Sequence, residues 1–74
     1  MSESEVARLR RQIELELEAM QRGMNDFAVG TARHDFIRAR MKRVGNYQDK
    51  LAEHVGDADA SKVVCMLYIE IMGK

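Results

Sequence analysis

The sequence predicts an all-α fold: a three-helix unit made of a long antiparallel helix hairpin and a shorter, very apolar third helix, assembling into an oligomeric helical bundle. Three observations carry this. Apolar residues recur at intervals of three or four in three successive blocks. Residues that start and stop helices fall between the blocks. The third block is apolar over more of its circumference than one hairpin can cover.

In the first block the stripe is Val6, Leu9, Ile13, Leu17, Met20, Met24 and Phe27. Ser2-Glu3-Ser4-Glu5 reads as a capping box, with Ser2 at the N-cap and Glu5 at N3. Arg10, Glu14, Glu18 and Arg22 stand four apart and predict a charge ladder along the helix flank. Gly30 supplies the C-terminal cap, and Thr31 can cap the next helix. The second block carries Phe36, Ile37, Met41, Val44, Tyr47, Leu51 and Val55, and Gly56 ends it. Gly23 and Gly45 weaken their helices, yet Val44 and Leu51 keep one stripe across Gly45, so continuity is expected. The third block, VVCMLYIEIM, would also suit a buried strand in an oligomeric sheet. Asp57, Asp59 and Gly73 fit helix ends instead, and a lone strand has no partner here. Helices are therefore expected at about 3–29, 32–55 and 58–72 of a single domain, 1–74.

Composition narrows the function classes. Twelve Lys+Arg balance twelve Asp+Glu, and 46% of residues are hydrophobic, which excludes a disordered acidic or basic tail. The lack of proline excludes collagen-like and proline-rich chains. One cysteine allows no internal disulfide, and no Cys/His ladder for zinc is present. No apolar signal core or membrane-length run occurs, so a soluble, cytoplasmic protein is expected.

Chemistry-bearing constellations are sparse. His34-Asp35 resembles the His-Asp pair of metal-dependent phosphohydrolases, but those need further His and Asp ligands, and only His54 remains as a further histidine. A first-turn His and an Asp near the positive helix end explain the pair better. Cys65 stands among Val64, Leu67 and Ile69, where a thiol behaves as a small hydrophobe, and it is expected to be buried and slow to react. No nucleophile, base or oxyanion arrangement is recognisable, so no enzymatic activity is expected. No catalytic, cofactor-binding or metal-binding residue is assigned.

The local charge is uneven. Residues 33–43 hold Arg33, Arg38, Arg40, Lys42 and Arg43 against Asp35, and residues 49–59 hold Asp49, Glu53, Asp57 and Asp59 against Lys50. The basic run is the candidate contact for nucleic acid, the alternative functional reading. Its side chains do not share one helix face, however, which favours a solvated helix with acidic neighbours. Leu51-Ala52-Glu53-His54-Val55-Gly56 resembles the first helix and turn of a helix-turn-helix unit. That resemblance covers six residues only, and the recognition helix it implies is too apolar to read bases.

Two expectations about packing follow. Arg40 falls inside the apolar arc of helix two and Glu16 at the edge of the helix-one stripe, so Glu16 should pair with Arg40 or Arg43 across the hairpin. Of the six methionines, Met20, Met24 and Met41 should fill the core, while Met66 should be wet; Leu15, opposite its stripe, should be exposed. Functionally, the expectation is a non-enzymatic interaction module, an adaptor or regulator. Its partner is a second copy (homodimer or higher homo-oligomer) meeting it through Cys65, Tyr68, Ile69 and Met72, and a larger protein effector is a further candidate.

Overall fold

A computed structural model describes residues 4–26 and 31–73. Three helices follow in order, α1 (Glu5–Asp26), α2 (Thr31–Val55) and α3 (Asp57–Met72), with no strand among the described residues. Residues 63–72 are thus helical despite their β-branched content, and α2 runs unbroken through Gly45. Phe27, Gly30 and the Ser2 of the expected capping box lie outside the described residues.

The cap that is present belongs to Ser4. Its Oγ accepts the Ala7 N–H at 3.1 Å, and its carbonyl accepts the Arg8 N–H at 3.0 Å. Glu5 therefore occupies the first helical position rather than N3, and it pairs with Arg8 at 2.8 Å. That hydrogen-bonded guanidinium holds the Glu5 carboxyl below its ordinary value. The contribution to the first turn is present above the ordinary carboxylate range and is lost as pH falls through the lowered value. The expected charge ladder is also redrawn, because Glu14 is taken by Arg11 at 2.7 Å.

Four residues separate α1 from α2, which forces an immediate reversal. Between α2 and α3 a single residue suffices. Gly56 has φ 93° and ψ 158°, a region open essentially to glycine alone. Its N–H closes the last turn of α2 on the Ala52 carbonyl (2.8 Å), and its own carbonyl opens α3 by accepting the Ala60 N–H (3.0 Å). One turn of helix further in, Gln48 Nε2 donates to Ser61 Oγ at 3.0 Å, so α3 folds back along α2.

The core is one cluster drawn from all three helices: Leu9, Ile13, Leu17 and Met20 on α1, Val44 and Leu51 on α2, and Ala60 and Leu67 on α3. Each large side chain so buried stabilises the fold by about 1.5–3 kcal/mol. The small Ala60 lets α3 start close against the hairpin. Sixteen residues give α3 a length of roughly 24 Å, against roughly 37 Å for the 25 residues of α2, so α3 covers only part of a molecule 41 Å long. Met41 departs from expectation. It is exposed, because it lies on the flank of α2 rather than under the stripe centred on Val44 and Leu51. Leu15 and Met66 are exposed, as expected.

Gly56→Ala should therefore cost on the order of 1–3 kcal/mol, since alanine must hold that backbone under strain. Thermal or urea unfolding measures this; an unchanged midpoint would show that the turn relaxes freely.

Candidate interaction surface

The basic run does not survive folding as one surface. Arg40 turns inward, where its Nη1 donates to Glu16 Oε1 at 2.9 Å, with 28% and 13% of the two side chains exposed. Arg43 approaches the same oxygen at 3.9 Å. The expected seam between the helices is thus present, and it consumes one cation and engages a second. Arg40 also lies over the Phe36 ring, 5.3 Å from its centroid, within cation–π range. That ring in turn occupies the space above Gly23, where any Cβ would overlap it. A chain of small fits, Gly23 to Phe36 to Arg40 to Glu16, sets the register of the hairpin.

Of the remaining cations, Arg33 is half-buried, and Arg38 and Lys42 are exposed on the outer face of α2. Arg43 projects about 100° from Lys42 around the helix, toward α1. Phosphate contacts need cations on a common surface, so this geometry weakens the nucleic-acid reading. The helix-turn-helix resemblance weakens as well. Leu51–Gly56 does form a helix end and a turn, but a one-residue turn, where the motif has three or four.

His34, His54 and Cys65 are all exposed, and no three His, Cys, Asp or Glu side chains converge among the described residues. The expected burial of Cys65 is corrected by the structure: the thiol is exposed. The buried side of α3 is centred on Ala60, Leu67 and Ile71, and Cys65 stands about 140° around the helix from Ala60. The same rotation exposes Tyr68 by 46% and Ile69 by 64%, with Met72 half-buried. Cys65, Tyr68, Ile69 and Met72 therefore form one outward apolar strip, within about 100° of arc.

Residues that sequence reasoning placed elsewhere adjoin it. The Gln48–Ser61 hydrogen bond puts α2 beside this strip, and one turn on from that bond Gly45 comes level with Cys65. Met41, 41% exposed, lies a further turn along. Signal for it existed in the sequence, since Met41 is offset from Val44 and Leu51, but stripe membership outweighed the offset. On the opposite flank of α3 an open cleft of about 280 Å³ runs between Val6, Leu51, Val55, Val63 and Met66, rimmed by Arg10, Asp59 and Lys62. Its walls are apolar and its size is just below that of typical small-molecule sites, which suits an inserted side chain.

Removing one member of the seam tests its role in register. Glu16→Ala should cost about 1–2 kcal/mol in urea unfolding, because Arg40 keeps only part of its hydration in exchange. Glu16→Leu combined with Arg40→Met should recover most of that loss. A Glu16→Ala variant as stable as the unsubstituted chain would mean that the pair contributes nothing.

No protein family model, no curated protein and no solved structure matches this chain, so its surface geometry carries the functional reading.

Proposed function

We propose that the chain is a small non-enzymatic protein–protein interaction module that self-associates through the outer face of α3. One observation carries the reading: the most apolar helix points Cys65, Tyr68 and Ile69 at solvent. Such a strip is stable in water only at a cost, and it is the usual mark of an interface. Size favours the same conclusion. A domain of about 70 residues held by side-chain packing alone rarely gains more than about 3–5 kcal/mol from its own core. Eight side chains are buried among the described residues, and covering the α3 strip adds to that core.

A homodimer is the simplest closed assembly. The cleft beside Met66 lies on the other flank of α3 and leaves room for a larger effector, which supports an adaptor or regulatory role. Sedimentation equilibrium at micromolar concentration should give twice the 8.5 kDa chain mass or a higher multiple, with a melting temperature that rises with concentration. Ile69→Asp should yield a folded monomer or a less stable one, since the side chain touches little within its own chain. A concentration-independent monomer would overturn the reading.

A further inference from the structure

The geometry points to a specific mode for this self-association: an antiparallel two-fold pairing in which α2 lies over α2 and α3 over α3 of the second copy. It rests on the self-association proposed above and specifies its geometry. Three features of the surface lead to it.

The first is charge. Along the outer face of α2, Arg38, Lys42, Asp49 and Glu53 share a strip about 60° wide. All four are exposed, and none has an ion pair within the chain among the described residues. Positive residues occupy one half of the strip and negative residues the other. Arg38 and Glu53 stand equally far from the midpoint between Gly45 and Asn46, and so do Lys42 and Asp49. Within one chain this arrangement is unfavourable, because like charges four apart on a helix repel. A copy turned end for end sets Glu53 against Arg38 and Asp49 against Lys42, twice over. Asp35, the other charge on this face, would lie beyond the end of the opposing α2.

The second feature is size. In the α3 strip, Ala58 and Ser61 are small and precede Cys65, whereas Ile69 and Met72 are large and follow it. Two-fold symmetry about Cys65 packs Ile69 on Ser61 and Met72 on Ala58 of the second copy, large on small. A parallel pairing would set large on large and leave a gap at the other end.

The third feature is level. Counted from the Gln48–Ser61 hydrogen bond, the centre between Gly45 and Asn46 lies about 4 Å along α2 and Cys65 about 6 Å along α3, so the two symmetry centres fall within about 2 Å of one axis running across the helices. Gly45 is the only glycine that interrupts α2, and a Cβ there would meet nothing within 4 Å. Among the described residues, no close contact calls for it. A second copy approaching closely at the axis does.

The test uses two charge-reversed chains, Arg38→Glu/Lys42→Glu and Asp49→Lys/Glu53→Lys, with helicity checked by circular dichroism. Each alone places like charges together throughout and should self-associate at least about tenfold more weakly than the unsubstituted chain. Mixed in equal amounts, they should form a one-to-one heterodimer by native mass spectrometry, with affinity restored. Variants that each dimerise as tightly as the unsubstituted chain, or a mixture that stays monomeric while that chain dimerises, would overturn the antiparallel mode and leave self-association standing. A monomeric unsubstituted chain would remove both.

Discussion

A hairpin of two helices can bury one side of a third, and α3 is apolar on more than one side. Everything distinctive about this molecule depends on that mismatch. Ala60 and Leu67 are sealed against α1 and α2, while Val63, Val64, Ile71 and Met72 are partly covered. Cys65, Tyr68 and Ile69 are left facing water. A short chain has few remedies for this: it can add covalent or metal staples, or it can share the surface with a partner. A single cysteine leaves no internal disulfide open to it, and sharing the surface with a second copy is the remedy proposed above.

Which residues share it depends on rotation and register, and both are set by small contacts. Gly56 fixes the direction in which α3 leaves α2, because one residue at φ 93° makes the whole turn. Gln48 and Ser61 then fix how far α3 has slid along α2. Across the hairpin, the Glu16–Arg40 pair and the Phe36 ring over Gly23 hold the two long helices level. An ion pair of this kind is a modest stabiliser, and its use is alignment. The outward strips on α2 and α3 are coherent only because these contacts hold.

The helices and the hairpin were legible in the residues because periodicity reports buried faces directly. Leu9, Ile13 and Leu17 could hardly be read otherwise, and Glu16 with Arg40 was readable because a charge inside an apolar arc demands a partner. Cys65 and Met41 were misplaced for one reason. A residue's apolar neighbours in sequence say little about burial in a helix, where a step of one residue turns the side chain by about 100°. Ser2 and Ser4 both precede a helix, and only the backbone decides which oxygen reaches the third N–H. The open side of Gly45 was invisible too, since a glycine that weakens a helix looks the same whether or not something approaches it.

The single thiol offers the most direct test of the account, because it sits at the centre of the proposed interface and is exposed in the isolated chain. Modification of native Cys65 by a small thiol reagent should be measured across a protein dilution series. A rate near that of free cysteine is expected at the lowest concentrations, falling as the protein associates and tracking the measured mass. A rate that stays fast and independent of concentration, up to the highest concentration attainable, would contradict it.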